Sequence, residues 1–172
     1  MTTQYAIHTI LTGILSELET ALIGTPGGAP GFSSLFPGEI VWDECCDGFL
    51  GITATECYLS DTFLSDAVSK MPTVSSNCKG NWFVVDITVN VLRCVPLPQG
   101  TDLDVSADVL TETSRLITAD AWTIYNAMIC YLQDLKDDNT IIEYSTTNLI
   151  FVGPQGGCVG CEMISSIALD LE

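Results

Sequence analysis

Eight cysteines and a single histidine are the side chains here whose chemistry would show first. Cys158-Val159-Gly160-Cys161 has the CxxC spacing shared by redox and metal-binding motifs. A redox CxxC opens a helix after a strand, where the positive helix end lowers the thiol pKa. This one follows Gly153-Pro154-Gln155-Gly156-Gly157 and runs into an extended apolar stretch, which argues against that role. A zinc site needs two more ligands, and Cys45-Cys46 is adjacent rather than spaced as a knuckle. The motif reads as structural thiols or part of a disulfide.

The remaining candidates fare no better. His8 sits in an amphipathic stretch with no nucleophile that the sequence places beside it, and a general base needs a positioned partner. Gly153-Pro154-Gln155-Gly156-Gly157 lacks the Lys and the Ser or Thr opening a helix that a phosphate cradle requires, so it reads as a hairpin turn. The acidic pairs Asp43-Glu44, Asp102/Asp104 and Asp137-Asp138 lack the ordered spacing, central Gly and terminal Glu of a calcium loop. Asp102 and Asp104 precede a helix start, where negative charge favours the helix dipole. The expectation is a protein without catalytic residues, cofactor or metal.

Charge narrows the partners. Twenty-two Asp and Glu stand against five cations, Lys70, Lys79, Arg93, Arg115 and Lys136, for a net charge of −17. Five scattered cations make no phosphate-binding patch, so neither specific nucleic-acid binding nor an anionic membrane is expected. The acidity serves solubility, or forms a surface that repels DNA passing close by. No apolar run approaches the ~20 residues of a membrane helix. No basic residue precedes Lys70, so a secretory start is not expected and the cysteines are expected to be made in a reducing compartment.

The elements follow from periodicity. Ile7, Leu11, Ile14, Leu18 and Leu22 recur at helical spacing and predict a helix over 3–23, with Thr3 as N-cap and Gly24 as the stop. Residues 24–38 hold five Gly and three Pro, which predicts a long loop. Strands are expected over 39–46 and 49–59, turning at Asp47-Gly48, with a surface excursion over 61–80. In 81–95, Phe83, Val85, Ile87, Val89 and Val91 alternate with a mostly polar set, which predicts a strand buried on one face. Trp82 falls on that second face.

A helix is predicted over 106–135, with Leu110, Ile117, Ala121, Ile124, Met128, Tyr131 and Leu135 in one stripe and Trp122 beside it. Strands over 141–152 and 159–171 complete a single α+β domain, 1–172. Its two helices pack on a mainly antiparallel sheet. If the strands flanking 61–80 pair with Leu59 opposite Asn81, Cys46 falls opposite Cys94. A bulge at Gly48 would let the chain continue that far. Cys46 and Cys94 are thus a candidate structural thiol pair.

Taken in order, Trp42-Asp43-Glu44-Cys45-Cys46-Asp47-Gly48, Val91-Leu92-Arg93-Cys94 with Pro96, Ala119-Asp120-Ala121, and Gly153-Pro154-Gln155-Gly156-Gly157-Cys158-Val159-Gly160 carry a family likeness. The chain resembles, over residues 38–165, head–tail connection proteins of long-tailed phages infecting actinobacteria. Its element order is similar to that of tail terminator proteins. The resemblance implies a virion structural protein, assembled in the host cytoplasm, that forms a hexameric ring at the head–tail joint. Such a ring caps the tail tube protein and docks it to a neck or stopper protein, and DNA passes through without specific binding. The resemblance brings no catalytic residues. The alternatives are a head-closure stopper, against which the thirty-residue helix speaks, and a small thiol- or zinc-dependent enzyme.

Overall fold

Residues 3–38, 40, 45–60, 82–95, 106–155 and 157–170 are described by the computed structural model. In chain order they form α1 (Thr3–Ile23), β1 (Phe32–Phe36), β2 (Phe49–Ser60), β3 (Trp82–Cys94), α2 (Ala107–Asp137), β4 (Glu143–Gln155) and β5 (Cys158–Leu169). The strands make one sheet in the order β1-β2-β3-β5-β4, and every pairing is antiparallel except β1 with β2. The architecture is α+β, as the alternation of periodicities predicts.

Both helices lie on one face. In α1, Ile10, Ile14, Leu18 and Leu22 are buried in one core with Leu50 and Ile52 of β2, Val85, Ile87, Val89 and Val91 of β3, and Met163 and Ile167 of β5, the helix itself packing chiefly on α2, β1 and β2. By length and composition alone, Ala6–Ile23 also suffices to cross a membrane, with mean hydropathy 1.3 over 18 residues, contrary to the sequence expectation. Its apolar stripe is accounted for by this core.

The second helix is started by Ser106, whose hydroxyl accepts from Val109 N–H, and carries Asp108 in its first turn and Lys136 in its last, both favourable to the dipole. Its buried stripe runs through Ile117, Ala121, Ile124, Met128 and Leu132. Leu110, expected in that stripe, is 53% exposed, because the first turns of α2 stand off β4 and leave a groove there. Leu132, absent from the expected stripe, is fully buried.

Four further expectations are corrected. The Gly/Pro-rich loop over 24–38 contains β1, too short to show a period but parallel to β2 from Phe32 opposite Phe49 to Phe36 opposite Thr53. Asp47-Gly48 does not join two antiparallel strands. Gly48 N–H instead donates to Cys45 O at 2.9 Å in a turn that delivers the chain into β2. The expected strand over 39–46 falls largely on residues outside the description, as do the 61–80 excursion, Asp43-Glu44 and Asp102/Asp104. β4 continues through Gly153-Pro154 to Gln155, so the hairpin turn is shorter than the glycine run suggests. Finally, β3 is buried on both faces: Val84, Thr88, Asn90 and Leu92 are enclosed along with the apolar set. A central strand has neighbours on either side, and alternation alone does not reveal that.

Register also departs from expectation. Leu59 lies opposite Phe83, and a bulge between Ala54 and Glu56 absorbs one residue, so that Phe49 lies opposite Leu92. The irregularity sits at Thr55, not at Gly48.

Candidate functional site

One end of the sheet gathers four of the cysteines, Cys45, Cys46, Cys94 and Cys158. β3 and β5 are in register so that Cys94 lies directly opposite Cys158. Each is bonded to one of the adjacent cysteines in the turn before β2. Cys46 joins Cys94 with a Cα separation of 4.3 Å, and Cys45 joins Cys158 at 5.9 Å. The pair expected from strand register is therefore joined, although Cys46 lies in the turn rather than in the strand. The second bond was not foreseen.

Gly48 makes this turn possible. Its φ is +84°, where a side chain is strained, and a Cβ there would run into the Arg93 guanidinium. Beside the cystines, Gly31 N–H donates to Asp47 O and Val95 N–H donates to Gly157 O, each at 2.7 Å. Cys45 and Cys158 are buried in a small cluster with Ile40, Phe49 and Leu92, on the sheet face away from the helices. Phe32 stacks on Phe49 with centroids 5.7 Å apart, closing the cluster toward β1.

The helix-facing side of the same end holds an ion pair. Arg93 Nε donates to Asp120 Oδ2 at 2.7 Å, and Arg93 Nη2 donates to Gly28 O at 2.7 Å. Arg93 is 8% exposed and Asp120 0%, so this is a buried pair linking β3, α2 and the loop before β1. The loop comes close enough that a Cβ on Gly27 would sit 2.9 Å from the guanidinium. Asp120 Oδ1 is buried with no hydrogen-bond partner among the described residues. The sequence carried a signal for this pair. Arg93 continues the inward-facing series Val85-Ile87-Val89-Val91, and Asp120 stands within the Ile117-Ala121-Ile124 stripe. Two opposite charges in buried phases call for each other.

Cys161 lies on this face. Burial pushes its thiol up to about 12, with the Asp120 charge adding to the effect and Arg93 partly opposing it. A thiol so held stays protonated and is a poor nucleophile. The CxxC spacing in a strand puts its two cysteines on opposite faces, since they are an odd number of residues apart. Cys158 is bonded to Cys45 and Cys161 is free, so the motif is divided rather than paired.

The other sequence candidates are elsewhere. His8 is exposed on α1. Asp137 accepts from Gln133 Nε2 and Asp138 from Thr140 N–H, which ends α2. Thr140 holds the Asp138 carboxyl below its ordinary value. Trp122 is 67% exposed, while Trp82 is half-buried. Among the described residues no cluster of His, Cys, Asp or Glu is arranged to hold a metal ion.

What this arrangement does chemically is fasten. Two cystines and one buried ion pair tie the turn before β2, the end of β3, the middle of α2 and the start of β5 to one another. The chain matches no protein-family model and no curated protein.

Proposed function

We propose that this protein is a structural component of a phage virion at the head–tail joint, a tail terminator that caps the tail tube as a hexameric ring and docks it to the neck. One observation carries the reading. The segments in which the chain resembles head–tail connection proteins are far apart in sequence, yet Cys45, Cys46, Gly48, Arg93, Cys94, Asp120 and Cys158 meet at one end of the sheet. Their shared property is mutual fastening, which suits a part that bears load and not one that turns over a substrate. The net charge of −17 fits a ring around a passing genome, since an anionic wall repels phosphates and cations would hold them.

The role is non-enzymatic, and the partners are further copies of the chain, the tail tube protein and a neck protein. Electron-microscopic reconstruction of the particles that carry this chain tests the reading. Density for a ring of this fold between tube and neck is the expected result. Finding the chain in the capsid shell or at the tail tip would defeat the assignment.

A further inference from the structure

We infer that the four cysteines at this end of the sheet form a redox relay: an external thiol opens the exposed Cys46–Cys94 bond, and Cys94 then takes Cys158 from Cys45. The product carries a Cys94–Cys158 bond across two strands, with Cys45 and Cys46 as thiols. The relay is independent of the ring reading above.

The two cystines differ in access. Cys46 and Cys94 are exposed, whereas Cys45 and Cys158 are 3% and 5% exposed. Ile40, Phe49 and Leu92 enclose the inner bond, with Phe36 packed against them. A disulfide opens only where a thiolate can reach one of its sulfurs, so a dissolved thiol meets the outer bond and is kept from the inner one. Cys161 is free but belongs to the opposite face of the sheet.

A third pairing is already laid out by the strands. Cys94 lies directly opposite Cys158. Val95 N–H donates to Gly157 O at 2.7 Å, so the neighbouring pair is hydrogen-bonded and Cys94–Cys158 is a non-hydrogen-bonded pair. Such pairs hold their Cα atoms about 4.5 Å apart with the side chains close, within the ~4.4–6.8 Å that a disulfide spans. Cys94 therefore reaches the buried bond from inside the protein, where solvent does not.

The steps balance. The thiolate of a small neutral thiol attacks Cys46 Sγ, the Cys46–Cys94 bond breaks, and Cys94 leaves as a thiolate. Cys94 Sγ attacks Cys158 Sγ, the Cys45–Cys158 bond breaks, and Cys45 leaves as a thiolate and is protonated. A second thiol removes the first from Cys46 as the external disulfide. Two thiols are oxidised, one protein cystine is reduced, and the other has changed partners. The turn before β2 thereby loses both covalent ties to β3 and β5. It keeps its backbone bonds to the start of β1, Gly31 N–H to Asp47 O and Phe32 N–H to Gly48 O.

The test uses the full chain, oxidised with glutathione disulfide and then treated under native conditions with limiting β-mercaptoethanol. The reaction is stopped with acid, free thiols are alkylated, and bonds are mapped by mass spectrometry. Among molecules that have lost one cystine, the expected main species is alkylated at Cys45 and Cys46 and holds Cys94–Cys158. In parallel, Cys46→Ser, which leaves Cys94 as a thiol, is expected to hold Cys94–Cys158 with no reductant added. The double variant Cys46→Ser/Cys94→Ser, which lacks the relay thiol, is expected to lose Cys45–Cys158 to the same reductant several-fold more slowly than the wild type. A main species alkylated at Cys46 and Cys94 that retains Cys45–Cys158 overturns the relay, as does retention of Cys45–Cys158 in Cys46→Ser. Failure of the oxidised wild type to form the two starting cystines overturns it as well.

Discussion

Arg93 and Asp120 carry the heaviest consequence of any single side chains in the molecule. Each is buried, and each has the other as its charge partner, so removing one strands the other in a low-dielectric setting. Arg93→Ala or Asp120→Ala is expected to destabilise the fold by about 3–5 kcal/mol. Replacing both together with apolar residues of similar volume should restore much of the loss. Urea unfolding of the two single variants and the double variant checks this, and additivity of the two losses would contradict it. The free thiols make a second test. At mildly alkaline pH, iodoacetamide is expected to label Cys57 and Cys130, which are exposed, and to spare Cys161, whose burial keeps the thiol protonated up to about pH 12. Cys57 should react slowly for its exposure, since partial burial and the nearby Asp86 raise its pKa. Labelling of Cys161 in the folded protein would show that the core opens at that end of the sheet.

At the scale of elements, the cystines act by joining segments that are remote in the chain. Cys45–Cys158 spans a sequence separation of 113 and Cys46–Cys94 one of 48. Replacing Cys45 and Cys158 by Ser is expected to lower stability by about 2–5 kcal/mol. Differential scanning calorimetry in the absence of reductant measures it, and an unchanged melting temperature would mean that this bond does not hold the fold. The two helices were legible because apolar residues recur at three and four over many turns, and β3 because its alternation is long. β1 was not legible: Phe-Ser-Ser-Leu-Phe between glycines and prolines is too short to show a period, and nothing local names its parallel partner. The β2–β3 register was already two residues out at Leu59, because nothing in the residue types marks where the pairing begins, and the bulge at Thr55, equally unmarked, then shifts it by one. Of the site, Cys46 with Cys94 was reached through a strand register that the structure does not have: Cys46 stands in the turn before β2 and is bonded from there to the end of β3. Cys45 with Cys158 was not reached, because adjacent cysteines leave open which of them serves which strand. Arg93 and Asp120 were each visible as charges in buried phases, but their meeting depends on how α2 lies across the sheet.

For the whole molecule the dominant quantity is the charge of −17. Copies of such a chain repel over distances of roughly a Debye length, ~10 Å at 0.1 M salt and ~3 Å at 1 M. Self-association is therefore expected to strengthen as sodium chloride rises, the opposite of an assembly held by complementary charges. Sedimentation velocity across a salt series reads this directly, and dissociation on raising salt would point to ion pairs across the contact. The same charge is expected to give the protein a poor grip on DNA, so a ring of the kind proposed should leave a duplex free at every salt concentration at which it is intact.

The bond between Cys45 and Cys158 also sets where tension travels. A pull applied between the two ends of the chain enters through α1 and β1, crosses at Cys45 directly to Cys158, and leaves through β5. Everything between those residues, including β2, β3, α2 and β4, lies in a closed covalent loop off the line of force. In an optical trap the oxidised protein is expected to extend by less than the full chain, with about 400 Å of contour held back at ~3.5 Å per residue. Reductant should release that hidden length in the same molecule. A joint that must transmit strain while a pressurised genome leaves would gain from such a shortcut, because the sheet interior would be spared the load its ends carry.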